Sequence, residues 1–209
     1  CHHHADKETS LEDKHEDFHA QVRAIANRIE DDGFNVEDII YFFTTCTNNF
    51  RNEIYPEYKA NRKDDPIRKA VKALKTYCIG GLQWDYTGVY YSDTHEADDL
   101  IPGYVEDLVN IEDFIVCSID KDLKQIPGAH FDYYKQKTGE IDQYGNDIRE
   151  YKGWSYTTPQ EGYDLFLTQM LIGDTADNIK GAKGVGEKRA PKLLAGKTNF
   201  GKLLTTARA

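Results

Sequence analysis

The sequence predicts an α/β fold, a mainly parallel sheet with flanking helices, and three observations predict it. Short aromatic and β-branched runs alternate with longer segments of helical periodicity. Those runs are apolar at successive positions, as strands covered on both faces are. A hydrophobic content of 39% over 209 residues suffices for the core of one domain, or of one domain with a small appendage.

Taken in order, LEDKHEDFHAQVRAIANRIEDDG places Leu11, Phe18, Val22, Ile25, Ala26 and Ile29 on one stripe that stops at Gly33, which predicts an amphipathic helix. VEDIIYFFTT (36–45) predicts a buried strand. DPIRKAVKALKTYCIG has a Pro at its first helical position, a basic outer face and a stop at Gly80 and Gly81. GVYYS (88–92) predicts a strand, EADDLIPGYVEDLVN a helix interrupted near Pro102, and DFIVCSI (113–119) another strand. HFDYYKQKTGEIDQYGNDIREYKG carries turn signals at Thr138-Gly139 and Gly145-Asn146 and predicts a hairpin or excursion. The last third, from Gly162 to Leu194, reads as helix, Gly-rich turn, helix.

No apolar run approaches the roughly 18 residues of a membrane span. Four widely spaced cysteines, Cys1, Cys46, Cys78 and Cys117, form no C-x-x-C pair and follow no signal pattern, which points to a reducing cytoplasm. CHHHA at the start reads as a tag remnant rather than a metal cluster, because adjacent side chains do not all converge on one ion. Net charge is −10, yet it is segregated. Asp93 to Leu123 holds ten acids against one base, Arg51 to Lys75 eight bases against four acids, and Lys180 to Lys197 six against one. An acidic centre between two basic segments keeps a polyanionic partner open.

In an open parallel sheet, ligands bind beyond the carboxyl ends of the strands. Glu96, Asp98 and Asp99 follow the Tyr90 run, Asp120 and Asp122 follow the Val116 run, and Asp174 and Asp177 lie in GDTADN. Two carboxylates about 4 Å apart repel by roughly 4 kcal/mol at an effective dielectric near 20, so a cluster of seven calls for cations. An all-oxygen set selects Mg²⁺ or Mn²⁺, and its size suggests two ions. Any one of these acids, taken alone, reads as a solvated or helix-capping residue. KGAKGVGEKRAPKLL spaces Gly181, Gly184 and Gly186 among Lys183, Lys188 and Arg189, a turn that lets backbone N–H groups approach a phosphate. FRNEIYPEYKANRK interleaves Arg51, Lys59, Arg62 and Lys63 with Tyr55 and Tyr58, which suits single-stranded nucleic acid and otherwise an exposed amphipathic helix.

Together, FRNEIYPEYKANR, EADDLI, SIDKDLKQI and LIGDTADNIKGAKGVGEKRAPKLL resemble, in order, four motifs of the 5′ nuclease superfamily. That superfamily takes in the 5′ to 3′ exonuclease domain of bacterial DNA polymerase I, the flap endonucleases, and the bacteriophage 5′ exonucleases and their RNase H-like relatives. The resemblance implies a PIN-like fold with a helical arch (about 50–75) in a nuclease core (1–158), and a C-terminal helix-hairpin-helix type DNA-binding region (159–209). It implies that Glu96, Asp98, Asp99, Asp120, Asp122, Asp174 and Asp177 hold two divalent ions. Tyr58, Lys59 and Arg62 would grip the scissile phosphate and the displaced strand, with Arg51 and Lys63 on DNA beside them. The turn at Gly181, Lys183, Gly184, Gly186, Lys188 and Arg189 would hold duplex DNA, through a K⁺ ion in some relatives.

Two departures stand out. CHHHA falls where the family starts its first helix, which places the first strand and its Asp upstream of Cys1. Thr44 stands where polymerase-like members carry an Asp before the arch, so a deletion and a weakened metal site are both open. Thr supplies no carboxylate, although a hydroxyl is able to hold a metal-bound water.

The implied activity is divalent-metal-dependent hydrolysis of DNA phosphodiesters, as a 5′ to 3′ exonuclease or 5′-flap endonuclease and in RNA primer removal on RNA–DNA hybrids. The alternatives are an inactive structure-specific DNA-binding protein and a Mg²⁺-dependent phosphatase, which leaves the basic arm unexplained. The compact form resembles a stand-alone bacteriophage replication nuclease, monomeric and acting in the bacterial or phage-infected cytoplasm.

Overall fold

The structure, a computed structural model, describes residues 9–62, 66–85, 88–108, 110, 112–134 and 153–195. The turn signals at 138–139 and 145–146 lie outside the described residues, as does Lys63. The chain packs as two compact units, Cys1–Pro56 with Arg62–Tyr104 and Glu57–Asn61 with Val105–Ala209. The sequence-based division at 158/159 falls inside the second of these.

In the first unit, helix α1 (Leu11–Asp31) starts on Ser10, whose hydroxyl accepts from the Asp13 N–H at 3.0 Å while the Asp13 carboxylate reaches back to the Ser10 N–H at 3.2 Å. It ends as the stripe predicts. Gly33 takes φ +96°, so its N–H reaches the Glu30 carbonyl and that of Phe34 reaches Ile29. Strands β1 (Tyr41–Thr44) and β2 (Val89–Ser92) pair in parallel, Tyr41 against Val89 through Thr44 against Ser92. The expected strand at 36–45 is therefore shorter, because its partner has only four residues to offer. Between them lie the single-turn helix α2 (Arg51–Ile54) and the long helix α3 (Pro66–Asp85).

Alternation along β1 splits its side chains between two faces. Tyr41 and Phe43 pack with Val71, Leu74, Cys78 and Ile79 of α3 and with Phe18 and Val22 of α1. Burying a side chain as fully as Leu74, 0% exposed, contributes about 1.5–3 kcal/mol. On the opposite face Phe42 stacks on Tyr90 at 5.3 Å, and Tyr104 of helix α4 (Ala97–Glu106) closes on both. Two structural differences from the sequence reading have plain causes. Helix α3 runs through Gly80 and Gly81, because Gly81 serves packing: a Cβ there would lie 2.7 Å from the His15 ring. Helix α4 continues past Pro102, which removes one backbone hydrogen bond without breaking the helix.

In the second unit, β3 (Ile115–Cys117) pairs in parallel with β4 (Gly128–Phe131) across a 3-10 helix, Lys121–Gln125. β4 then pairs antiparallel with β5 (Trp154–Thr157), so the predicted excursion has hairpin arms locked by the Phe131–Trp154 ring contact at 4.7 Å. Helix α5 (Pro159–Ile172) opens on a capping box between Thr158 and Glu161. It leads into the short antiparallel pair β6 (Gly173–Asp174) and β7 (Ile179–Lys180), then to helix α6 (Ala190–Leu194). Leu167, Leu171 and Ala190 form this end's core with Val185, Leu193 and Leu194. Helix, Gly-rich turn, helix holds as predicted. The α/β class stands, with both parallel pairings in place. Among the described residues the strands lie in three small sheets rather than one, and no described helix is long and apolar enough to cross a membrane.

Gly173 takes φ +73°, and a Cβ on it would lie 2.3 Å from the Gly181 nitrogen, a backbone contact that cannot give way. Gly186 has nothing within 4 Å of its virtual Cβ. Gly173→Ala should therefore cost more than about 2 kcal/mol in urea unfolding, while Gly186→Ala changes stability by less than about 0.5 kcal/mol.

Candidate nuclease site

The first unit sets three of the expected acids on the opening turn of α4. Glu96 is buried at 7% exposure, Asp98 is exposed, and Asp99 is half-buried. A helix start leaves backbone N–H groups without partners, and two of them are met here. The Asp99 carboxylate accepts from the Glu96 N–H at 3.0 Å, and the Thr44 hydroxyl accepts from the Ala97 N–H at 2.9 Å. Thr44, at the end of β1, thus caps the acidic helix, and its own carbonyl accepts from the Lys75 ammonium at 3.1 Å. In this cap the hydroxyl acts as an acceptor, a role that leaves its proton to donate.

Arg51 grips Asp99 in a two-pronged pair at 2.6 and 2.5 Å. Burial opposes ionisation of Asp99, but the Arg51 bonds, the Glu96 N–H and the nearby positive charges outweigh it, so its carboxyl titrates below the usual range. The guanidinium also lies 4.8 Å over the Phe50 ring. Arg51, expected on DNA, is engaged within the protein.

The second unit builds its acids on two turns. Asp120 ends the β3 connection and caps the 3-10 helix by accepting from the Asp122 N–H at 2.9 Å. Asp122 accepts from the Gln169 amide of α5, and Gln169 in turn accepts from Gln125. Burial raises the Asp122 carboxyl, and the like charges of Asp120 and Asp174 raise it further. Asp174 accepts from the Ala176 and Asp177 N–H groups at 2.7 and 3.2 Å, folding the GDTADN stretch into a tight turn.

That turn is clasped by residues 57–61. The Lys59 N–H donates to the Asp177 carbonyl at 3.0 Å, the Asn178 amide to the Glu57 carbonyl at 2.8 Å, and the Asn61 amide to the Thr175 carbonyl at 3.0 Å. The Tyr58 hydroxyl donates to the Asp177 carboxylate at 3.1 Å, and the Lys59 ammonium lies 3.6 Å from it. Lys59 and Asn178 both take positive φ, 55° and 60°. Strained backbone of this kind persists where surrounding contacts over-determine it.

The clasp sets aside the alternative of an exposed amphipathic helix at this end of the basic arm: residues 56–61 are turns. Tyr58 is only 7% exposed, with its hydroxyl on Asp177. Arg62 is exposed.

In the Gly-rich turn, Lys183, Gly184, Gly186, Lys188 and Arg189 are exposed. The Arg189 guanidinium donates to the Gly184 carbonyl at 3.2 Å, while the Gly186 carbonyl accepts from the Arg189 and Ala190 N–H groups. Gly181 owes its place to the fold, since a Cβ on it would lie 2.2 Å from the Ile172 carbonyl. Sequence reasoning missed Gln169, Gln125 and Lys75. Only structure reveals these three partners, since no motif spacing marks a lone Gln or Lys.

These features define an α/β domain that sets carboxylates after its strands and a basic loop against one of them. The chain belongs to the family described as 5′-3′ exonuclease, N-terminal resolvase-like domain, whose profile matches residues 3–152. It is 34% identical over 156 residues to DNA polymerase I of Bacillus caldotenax, covering 69% of this chain and 16% of that protein. To DNA polymerase I of Rhizobium leguminosarum it is 31% identical over 180 residues, covering 80% and 16%. The chain thus spans about one sixth of the length of these relatives. Its fold is that of bacteriophage T5 5′-exonuclease with divalent zinc ions bound, at TM-score 0.64 and 16% identity over 92% of this chain and 70% of that one. It is also similar to a bacteriophage T5 flap endonuclease in a pseudo-enzyme-product complex with DNA and metal ions, at TM-score 0.64 and 16% identity over 96% and 72%.

The Arg51–Asp99 pair carries a pH signature. A carboxyl whose folded-state pKa is lowered adds stability above its unfolded value, near 4, and loses it as pH falls through the folded value. Asp99→Asn should therefore cost about 1 kcal/mol in urea unfolding at pH 7, with the deficit shrinking below about pH 4.

Proposed function

We propose that the chain is a divalent-metal-dependent 5′ nuclease that hydrolyses phosphodiester bonds of DNA, at 5′ ends and flaps. The observation that carries this reading is the clasp, which holds Lys59 beside Asp177 and one turn from Asp174. A phosphodiester site needs a cation for the phosphate and carboxylates for divalent ions, and here the two share one short stretch of backbone. Family membership and the metal-bound and DNA-bound T5 structures support the same reading.

The carboxylates of the second unit suit a hard cation. Asp122 is raised first by burial and then by the negative charges of Asp120 and Asp174, a repulsion that a bound cation relieves. All donors are oxygen, which favours Mg²⁺ or Mn²⁺. Among the described residues no three acids, His or Cys are gathered into a ready cage, and Mg²⁺ binds through one or two carboxylates while keeping several waters. Asp120, Asp122 and Asp174 of the second unit are the residues that would hold it; Glu96 and Asp98, at the start of α4, are proposed as oxygen ligands in their own right. Asp99 is held by Arg51 instead. When bound, a pair of such ions activates water and stabilises the leaving oxygen.

The chain's own groups supply binding and orientation. Gln169 fixes the Asp122 carboxylate. Asp177 and Tyr58 set Lys59, whose ammonium offers positive charge to the phosphate and to the charge that develops on it; the guanidinium of exposed Arg62 is a further cation for the nucleic-acid backbone. Lys183, Lys188 and Arg189 present a basic turn within region 159–209, which serves duplex DNA by phosphate contacts, with a K⁺ ion as the further partner that the resemblance implies. RNA–DNA hybrids fit the same backbone chemistry, and the protein acts as a monomer.

The test is cleavage of a 5′-labelled flap duplex by the native-length chain with Mg²⁺ and with EDTA. Asp122→Asn combined with Asp174→Asn should lower turnover more than about 100-fold, and unchanged turnover overturns the reading. Lys59→Ala should lower kcat at least about tenfold with less effect on flap binding.

One observation favours a second reading, a structure-specific DNA-binding protein with little or no cleavage. Thr44 brings no carboxylate to the end of β1, and its hydroxyl is bound to the Ala97 N–H. This reading predicts tight flap binding with no turnover in Mg²⁺ or Mn²⁺, and any metal-dependent turnover rules it out.

A further inference from the structure

Away from the carboxylates, helix α1 carries His15 and His19 one turn apart, where i and i+4 side chains meet. Their Nε2 atoms face each other at 3.1 Å, with ring centroids 4.4 Å apart. Two nitrogens each about 2.0–2.1 Å from one metal ion, at angles between octahedral and tetrahedral, lie about 2.9–3.4 Å apart. The observed separation falls in that span. It equally suits a single N–H···N hydrogen bond in the neutral pair, whose shared proton a metal ion would replace.

The surroundings hold this geometry and leave it open on one side. His19 is 8% exposed and rests against Phe18, 6.3 Å between ring centroids. His15 is pinned edge-on by the Tyr77 ring at 5.5 Å and lies over Gly81, where any Cβ would come within 2.7 Å of its Cε1 and Nε2 atoms. An open cavity of about 660 Å³ adjoins His15, lined also by Thr76, Tyr77 and Gly80. It gives an ion and its remaining water ligands access. Among the described residues no third His, Cys, Asp or Glu joins the pair.

We propose that His15 and His19 form a two-imidazole site for a borderline divalent transition ion, Ni²⁺, Zn²⁺ or Cu²⁺, with water completing the coordination. Imidazole selects these ions, whereas the all-oxygen set of the second unit selects Mg²⁺ or Mn²⁺, so one domain carries two sites of different ionic preference. A bound ion staples two successive turns of α1 and stiffens the face that packs on α3, which links transition-metal supply to the stability of the first unit.

The experiment is calorimetric titration of the full chain with Ni²⁺ in excess Mg²⁺, which occupies oxygen sites without competing for imidazole. The background carries Cys1→Ser, His2→Ala, His3→Ala and His4→Ala, so that the terminal residues contribute nothing. The proposal expects one Ni²⁺ per chain and a rise in thermal midpoint with Ni²⁺. Each of His15→Ala and His15→Gln should weaken binding at least about tenfold and abolish the rise. Circular dichroism that matches the background shows that these variants fold. Should they unfold, loss of the two histidines' Cε1 proton signals on adding Ni²⁺ to the background chain serves in their place, and sharp, unshifted signals count against the site. No Ni²⁺ binding, or equal binding in background and folded His15 variants, overturns the proposal.

Discussion

The clasp of residues 57–61 on the turn at 174–178 is the interaction on which the candidate site depends. Five contacts join segments about 119 positions apart in sequence, three through backbone groups and two through the Asp177 carboxylate. Left-handed backbone costs Lys59 on the order of 1 kcal/mol or more, and Asn178, of a type that adopts it more readily, less. The contacts offset that strain, and the backbone bonds do so without drawing on the charges that the chemistry requires. Loss of the clasp would free Lys59 from Asp177 and the turn from its partner together, so cation and carboxylates are placed by one structural feature.

Charge crowding is handled acid by acid. Asp99 has Arg51, Asp177 has Lys59 and Tyr58, Asp174 has two N–H groups, and Asp120 has the Asp122 N–H. Asp122 differs: its partner Gln169 is neutral, and its carboxyl is pushed up by burial and by its like-charged neighbours. A carboxylate held by a neutral amide among negative charges keeps a strong affinity for cations. That makes Asp122, rather than the more conspicuous acids before Leu100, the centre of the account.

Much of the fold was legible because local physics decided it. The stripe from Leu11 to Ile29, the Gly33 stop, the continuous apolar run of Tyr41 to Phe43 and the Pro at the start of α3 each act within a few residues. What stayed hidden depends on approach in space. Gly81 resembles a helix stop until His15 is packed on it, and Gly181 resembles a phosphate loop until Ile172 crosses it at backbone distance. The acids themselves were legible as motifs, but their partners were not. Arg51 and Asp99 are 48 positions apart, and Thr44 caps a helix that begins 53 positions later. Motif spacing carried the chemistry of the residues, and tertiary packing decided which of them were already engaged.

The most direct measurement of the central claim is anomalous difference density from a crystal soaked in Mn²⁺. The account predicts a peak bound by Asp122 with Asp120 or Asp174, and, where a second ion is present, a companion peak about 3.5–4 Å away. A fully soaked crystal with no peak on Asp122, from protein that cleaves a 5′ flap, would contradict it.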